Sequence, residues 1–466
     1  MSSVNDLAQE VQLLRNADDR AAEYLRQIGQ RRVFPSDESL AGLAAFDEAL
    51  PEHGKDPAEG LSLLDDKGSP ATVATNDPRY FGFVIGAALP AAAAAERLML
   101  SWDQSASLFL GSPVAAKIEK VAAKWTLEIL DLPRESAVGF GTSATACTLA
   151  CIAAARRSIL ERHGWNIDED GLIGAPEVEV VLCETAHITV KKALRILGFG
   201  LKRVRVISAD AYGRLDPSKL PKLNDRTILC LQAGEVNTGE FDDFQQIIPM
   251  AKAAGAWVHV DGAFGLWARA SSYAHLTGGI EQADSWTTDG HKWLNTPYDC
   301  AMSICRDANA LAGTMNSDAV YSSASHDAQK NLTLEFSRRA RGIPVWAALR
   351  SLGKTGVAEM VERHCSLARQ IAEGLTEAGY TVLNRVVINQ VLACAADDEE
   401  TKAVIKAAQE SGEVWFGASI WNGKAAFRIS VSSWRTNERH AKRLITLMRA
   451  IGQPKFGSHP GAPNEL

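Results

Sequence analysis

Near the start of the chain, apolar residues recur at steps of three and four positions, which is the period of one face of an α-helix. The residues on this face are Leu7, Val11, Leu14, Ala17, Ala21, Tyr24 and Ile28. Asn5 or Asp6 could cap the helix at its start. Because a terminal helix with one apolar face needs a surface to cover that face, we expect this segment to pack against something else.

The pattern changes twice along the rest of the chain. Residues 35–78 are rich in Pro, Gly, Asp and Ser and predict a linker with short helices. From about Ser136, short apolar runs such as "VEVVLCE", "TILCLQAG" and "AWVHV" alternate with helical periodicity, for example at residues 188–198 and 247–254. Such alternation indicates a parallel sheet wrapped by helices, since parallel strands need long crossover connections.

The C-terminal part has a different pattern. It predicts a long helix over residues 344–379, strand-like segments in "TVLNRVVINQVLACAA" and "AAFRISVSSW", and helices from Thr401 and over residues 436–451. This pattern is typical of a smaller α+β domain.

Composition narrows the class of protein. The chain has 466 residues, 46% of them hydrophobic, a net charge of −7 and a pI near 5.9. We expect no nucleic-acid partner, because no basic stripe with interleaved aromatic residues is present. The eight cysteines form no CxxC pair and predict reduced, buried thiols rather than a metal site. With no apolar signal core or membrane-length tract, the sequence favours a soluble, cytoplasmic protein.

Four features fall where predicted strands end, and each has an ordinary structural alternative. "GFGTSATACTL" leads a strand into a helix whose first N–H groups suit a phosphate, although Thr142 or Ser143 could simply cap that helix. His187 opens a helix, where a capping or surface role is the usual alternative. Asp261 follows the buried run "WVHV" and could be a capping acid. The last feature is His291 with Lys292, and most lysines are solvated surface charges.

Taken together, these features match what pyridoxal phosphate requires of a protein. A lysine amine forms an imine with the cofactor, an acid keeps the pyridine nitrogen protonated, and a helix N-terminus holds the phosphate. Asp261 and Lys292 leave room between them for one helix and one strand. We therefore expect Lys292 to be the covalent anchor of the cofactor.

The chain from about Asp77 to Trp434 resembles the group II pyridoxal-phosphate decarboxylases, which act on aromatic amino acids, glutamate, histidine or tyrosine. The resemblance is carried by the segments "DPRYFGF", "HVDGAFG", "DGHKWLNTPYDC" and "SRRARGIPVWAALRSLG". It implies an α/β protein with the type I, aspartate-aminotransferase-like fold and a mostly parallel, seven-stranded sheet. The implied division is an N-terminal helical dimerisation segment (1–76), a large cofactor domain (77–343) and a small α+β domain (344–466). Family members are homodimers with shared active sites.

The resemblance also implies roles for individual residues. Lys292 would carry the cofactor, Asp261 would face the ring nitrogen, His187 would stack on one ring face and Ala263 would pack on the other. The remaining implied cofactor contacts are Ser143, Ala144, Thr145 and His291 around the phosphate and Asn237 and Thr238 near the ring edge. Gly262, Gly290 and "GTSATA" depart from the usual family residues, which leaves the individual phosphate contacts open.

Reaction type depends on where the proton returns after a bond to Cα breaks. In the family, a tyrosine on a mobile loop protonates Cα after CO2 leaves, and Tyr321 is at the matching position. This favours an L-amino acid decarboxylase over the two alternatives, an aminotransferase and a non-catalytic pyridoxal-phosphate-binding protein. Arg428 could bind a substrate carboxylate in either enzyme.

The substrate class stays open between aromatic and acidic amino acids. Phe83, Val84 and Phe109 are expected to approach the pocket, the last from a second subunit, and would suit an aromatic substrate. An acidic substrate would need a matched basic group, for which Arg79 and Lys330 are candidates. Gly86 stands where relatives have a residue that helps to hold the substrate carboxylate.

Overall fold

A computed structural model of the chain describes residues 7–316 and 328–452. The helices are α1 (Leu7–Gln27), α2 (Asp37–Ala41), α3 (Pro57–Leu63), α4 (Pro90–Trp102), α5 (Pro113–Ile129), α6 (Ala144–Arg162), α7 (Ile167–Asp170), α8 (Ile188–Ile196), α9 (Phe244–Ala253), α10 (Ala308–Met315), α11 (Gly342–Glu377), α12 (Asp398–Ser411) and α13 (Glu438–Gly452). The strands are β1 (Ala137–Gly141), β2 (Glu179–Cys183), β3 (Arg205–Ile207), β4 (Thr227–Gln232), β5 (Trp257–Asp261), β6 (Ser285–Asp289), β7 (Ala301–Cys305), β8 (Thr381–Val382), β9 (Gln390–Cys394), β10 (Gly417–Trp421) and β11 (Lys424–Ser430).

Seven strands form the central sheet, in the order β1-β7-β6-β5-β4-β2-β3. Strands β2 to β6 pair in parallel, whereas β7 is antiparallel to both of its neighbours. Strand β7 runs antiparallel to β6 because the connection between them, residues 290–300, is too short for the crossover that a parallel pair needs. The predicted α/β fold with a mostly parallel, seven-stranded sheet is confirmed.

Alternate residues of the central strands enter two different cores. Val181, Leu229 and Val258 pack in the larger core on one face of the sheet. Their neighbours Leu182 and Ile228 pack with residues of α6 and α8 in a second core on the other face. Burial on both faces explains the continuous apolar runs that predicted these strands.

The C-terminal part contains a second, four-stranded antiparallel sheet in the order β10-β11-β9-β8. Together with α12, α13 and the second half of α11 it forms the predicted smaller α+β unit. Helix α11 links this unit to the central sheet and is kinked at Gly353, whose φ of 61° suits a residue without a Cβ.

Helix α1 has the predicted amphipathic pattern, but none of its residues is buried. Leu7 is 71% exposed, and Val11, Leu14 and Leu25 are also exposed. Much of the apolar face therefore stays exposed within one chain, whereas Ile28, directly after the helix, is buried. Across residues 7–316 and 328–452, no helix combines the length and apolarity needed to cross a membrane.

Candidate active site

The predicted site residues gather at the carboxyl edge of the central sheet. Asp261 is the last residue of β5, in register with Gln232 of β4 and Thr287 of β6. Asp289 ends β6, and Lys292 follows in the next turn. Because the strands from β2 to β6 run in parallel, their ends share one edge, where ligands of such sheets bind.

Asp289 connects Lys292 to the start of α6. Its Oδ2 lies 3.1 Å from Lys292 Nζ, and its Oδ1 accepts a 2.7 Å hydrogen bond from the Ala144 N–H. The Asp289 side chain is 3% exposed, so little water screens these contacts. Sequence reasoning missed Asp289, although an acid at the end of a buried strand, three residues before the lysine, was a usable signal.

Asp261 and His187 form the second half of the cluster. Asp261 is buried, and its Oδ1 accepts a 3.1 Å hydrogen bond from the Ala263 N–H. Burial raises the pKa of the Asp261 carboxyl, while the nearby His187 and Lys292 act in the opposite direction. His187 caps α8, with Nδ1 2.7 Å from Thr189 Oγ1. Burial lowers the pKa of His187, so a neutral imidazole is favoured.

Two of the predicted phosphate residues, Ala144 and His291, lie next to the Asp289 carboxylate. Ser143 caps α6 through its Oγ, which leaves the backbone amides of Ala144 and Thr145 in the first turn. His291 Nε2 lies 3.8 Å from Asp289 Oδ2, and His291 Nδ1 accepts from the Cys300 N–H at 3.1 Å. The structure thus brings Ser143, Ala144, Thr145 and His291 to one place, but with the Ala144 amide engaged by a carboxylate.

Asn237 and Thr238 are held by a buried acid in their own loop. Glu235 accepts hydrogen bonds from both backbone amides, at 2.8 Å and 2.7 Å. Ser419 of the small unit donates to Asn237 Oδ1 at 2.6 Å, and Arg428 donates to the neighbouring Val236 carbonyl at 2.7 Å. These contacts make the loop a link between the two sheets.

Aromatic side chains lie beside the cluster. Tyr298 stacks on His291, with 4.2 Å between the ring centroids. Tyr80 stacks on Trp415 at 5.2 Å, and Phe83 packs on the same indole at 5.1 Å. Burial raises the pKa of Tyr80, and Tyr298 raises it further. Val84, by contrast, is buried in the larger core, and Tyr321 lies outside the described residues.

Both candidate basic groups are engaged elsewhere. The guanidinium of Arg79 donates to both carboxylate oxygens of Asp77, at 2.9 Å and 2.7 Å. Lys330 is 1% exposed and donates to Asn331 Oδ1 at 3.0 Å. A Cβ at Gly86 would overlap the Lys292 carbonyl oxygen, so only glycine fits there.

The chemical groups at this site are those that pyridoxal phosphate requires. An amine, a buried carboxylate, an imidazole and a helix N-terminus converge at one sheet edge, as this cofactor requires. The Asp289 carboxylate, which contacts the first residue of α6, is not among the groups that the cofactor requires. Within the described ranges, no three His, Cys, Asp or Glu side chains are placed to hold a metal ion.

Comparisons with known proteins identify the family of the chain. The pyridoxal-dependent decarboxylase conserved domain matches residues 46–392. Tryptophan decarboxylase 2 of Oryza sativa subsp. japonica is 24% identical, over 92% of this chain and 94% of that protein. An aromatic-L-amino-acid decarboxylase of Bacillus atrophaeus is 23% identical over 96% of each chain. The crystal structure of Oryza sativa TDC with PLP and tryptamine has a TM-score of 0.88 at 20% identity, covering 97% of this chain and 99% of that one. The chain belongs to the pyridoxal-dependent decarboxylase family, and its enzyme class is that of a pyridoxal-phosphate-dependent carboxy-lyase acting on an amino acid.

Proposed function

We propose that this protein is a homodimeric decarboxylase of L-amino acids with aromatic side chains. The observation that carries the proposal is the cluster of Lys292, Asp289, Asp261 and His187 at the carboxyl edge of the central sheet. The family assignment supplies the reaction class, and the surroundings of the cluster argue for the substrate class.

Each residue of the cluster has a separate task. Pyridoxal phosphate, when bound, withdraws electrons from the substrate Cα so that the bond to the carboxylate can break. Lys292 would hold the cofactor covalently through its ε-amine, and Asp261 would keep a proton on the pyridine nitrogen. His187 would cover one face of the ring as a neutral imidazole, because burial lowers its pKa, and Ala263 would pack on the other face.

The phosphate would be held by the first turn of α6, with Ser143, Ala144, Thr145 and His291 around it. Asn237 and Thr238 would lie near the ring edge. Glu235 would position them there, because it accepts hydrogen bonds from both of their backbone amides. Tyr321 would return a proton to Cα after CO2 leaves, a role that comes from its position in the family pattern.

An aromatic substrate is supported by the side chains near the cluster. Tyr80, Phe83, Trp415 and Tyr298 supply apolar and π surface. Neither Arg79 nor Lys330 is available to pair with a substrate side-chain carboxylate, because both are buried with other partners. Several relatives, including tyrosine decarboxylase 2 of Narcissus pseudonarcissus (24% identical), have names that specify aromatic substrates.

A homodimer is supported by the uncovered apolar surface. Helix α1 has no buried residue, and Phe109 and Leu110 are 65% and 85% exposed. We propose that residues 1–76 form a dimerisation segment, 77–343 the cofactor domain and 344–466 the small domain, with Phe109 entering the partner's site. The eight free cysteines support a cytoplasmic location.

The test is to incubate the purified holoenzyme with each standard L-amino acid while following CO2, amine and keto acid. We expect an absorbance band that borohydride abolishes, together with CO2 and amine from aromatic amino acids. Lys292→Ala should lose both the band and the activity, whereas Lys192→Ala, at an exposed position of α8, should keep them. Keto acid with pyridoxamine phosphate would indicate an aminotransferase instead, and CO2 from glutamate or aspartate alone would contradict the aromatic substrate.

A further inference from the structure

A cavity of about 420 Å³ lies between the N-terminal segment, the loop after β11 and the first turns of α13. Its lining includes Arg79, Arg435, Arg439, Arg443, His440 and Trp434. Among the residues that the structure describes, no Asp or Glu side chain lines it. This concentration of arginine is unusual for a chain whose overall net charge is −7.

Two of the four arginines have carboxylate partners that are not part of the cavity lining. Arg79 Nη2 lies 2.7 Å from Asp77 Oδ2, and Arg443 pairs with Glu413. Glu413 is shared, since its Oε2 is also 3.7 Å from Arg79 Nη1. These two acids therefore neutralise two of the four guanidinium charges.

The other two arginines have no ion pair within residues 7–316 and 328–452. The Arg435 guanidinium lies over the Trp434 ring, 4.5 Å from the ring centroid, and its Nε is buried without a hydrogen-bond partner. A buried donor with no acceptor costs free energy, so an acceptor entering from the cavity would relieve that cost. Arg439 lies on the exposed first turn of α13.

We propose that this cavity is a binding site for a small molecule that carries a phosphate group. The two uncompensated positive charges match a phosphate monoester, which carries about −1.5 to −2 charges near neutral pH. Guanidinium groups present N–H donors in a planar fork that fits phosphate oxygens two at a time. The cavity volume limits the ligand to metabolite size and excludes a nucleic-acid strand.

The buried residue Asn295 connects the cavity to the turn that carries Lys292. Trp434, which lines the cavity, donates its backbone N–H to Asn295 Oδ1 at 2.8 Å. Asn295 in turn donates its own N–H to the Lys292 carbonyl at 3.1 Å. Two hydrogen bonds therefore connect the cavity wall to the turn that carries Lys292.

The experiment is calorimetric titration of inorganic pyrophosphate into holoenzyme that has been reduced with borohydride. Reduction attaches the cofactor permanently, so the phosphate site at the first turn of α6 is already filled. We expect one site per chain. Arg439→Gln combined with Arg443→Gln, both exposed, should weaken binding by about tenfold or more. Arg435→Gln should weaken it by a similar factor, and Arg435→Lys by less, since lysine keeps the charge without the fork.

Arg195→Gln on α8 is the matched control, because Arg195 is exposed and is not part of the cavity lining. It should bind pyrophosphate as the unaltered protein does. Absence of binding, equal weakening in the Arg195→Gln control, or tighter binding of succinate than of pyrophosphate would each overturn the proposed phosphate site.

Discussion

The Asp289 carboxylate lies 3.1 Å from Lys292 Nζ and accepts a hydrogen bond from the backbone N–H of Ala144 at 2.7 Å. One acid thus occupies two groups that the cofactor needs, the amine and a helix N-terminal amide. Its negative charge also faces the place where the phosphate would be held.

We expect Asp289→Asn to bind pyridoxal phosphate more tightly. The amide can still accept from Ala144, but it neither repels the phosphate nor forms an ion pair with Lys292, and a gain of roughly tenfold is expected. Fluorescence titration of the cofactor-free protein measures the dissociation constant. Asp225→Asn, the same change at an exposed acid, should leave it unaltered. Weaker binding by Asp289→Asn would show that the carboxylate helps to hold the cofactor.

Tyr321→Phe should change the product rather than abolish CO2 release. Without the phenol, return of the proton to Cα should slow by at least ~100-fold, and dissolved oxygen should divert the reaction to aldehyde and ammonia. Amine, aldehyde and CO2 are measured together. Tyr298→Phe is the matched control, because this phenol stacks on His291 yet has no assigned proton transfer. An unchanged ratio of amine to CO2 in Tyr321→Phe would contradict the assignment.

Asn295 should contribute strongly to stability. It is buried at a φ of 60°, donates to the Trp293 and Ser432 carbonyls at 2.7 Å and 2.9 Å, and accepts from the Trp434 N–H. We expect Asn295→Ala to lower the free energy of unfolding by about 3 kcal/mol, because buried backbone groups lose their partners. Asn295→Gly should cost about 1 kcal/mol less, since glycine tolerates this φ.

Denaturant unfolding of both variants measures these differences. Asn422→Ala is the control, because Asn422 also has a positive φ, 49°, but is exposed in the turn between β10 and β11. Its cost should stay near ~1 kcal/mol. Equal losses at both positions would mean that the hydrogen bonds of Asn295 add nothing.

Asp242 should make stability depend on pH. Burial raises its pKa to about 6, although the Leu215 and Gln232 amides donate to it at 2.7 Å each. Because the folded pKa lies above the unfolded value of ~3.9, the neutral carboxyl stabilises the fold fully below that value, and this contribution is lost as pH rises through about 6.

Asp242→Asn should lack this dependence. The unfolding free energy of the wild type minus that of Asp242→Asn should fall by about 2 kcal/mol between ~pH 4 and ~pH 7. A flat difference for Asp242→Asn would contradict a raised pKa for this carboxyl in the folded protein.

Charges on the apolar face of α1 should dissociate the proposed dimer. Val11→Asp with Leu14→Asp places two charges on surface that is 37% and 43% exposed in one chain and that a partner would bury at a high desolvation cost. Sedimentation velocity should show monomers with reduced activity. Gln9→Asp with Gln12→Asp, on the polar face, should remain dimeric. If both double variants stay dimeric, α1 is not part of the interface.

Residues next to a strand end were predictable from the sequence, because a buried apolar run defines where the strand stops. The apolar runs place Asp261 and the start of α6 at strand ends, whereas β6 has the sequence "SWTTD" and Lys292 was predicted from the joint pattern of cofactor-binding groups. Helix positions followed equally well from periodicity; the predicted helix over residues 344–379 is α11, Gly342–Glu377.

Contacts between distant segments were not predictable in this way. The hydrogen bond between Asp289 and Ala144 joins residues 145 positions apart, and no local pattern encodes which carboxylate will meet which helix. The Glu235 contacts that hold Asn237 and Thr238 are local, yet the sequence does not show whether an acid turns inward or outward. Arg79 could bind a substrate as far as the sequence indicates, but its guanidinium is paired with Asp77, two residues earlier.

Gly86 limits how this enzyme can be redesigned. Since any side chain there would collide with the backbone of the Lys292 turn, grafting the carboxylate-holding residue of relatives onto this position would displace the cofactor anchor itself. Altered specificity would have to be engineered at other positions, for example at Tyr80 and Phe83, whose rings pack on Trp415.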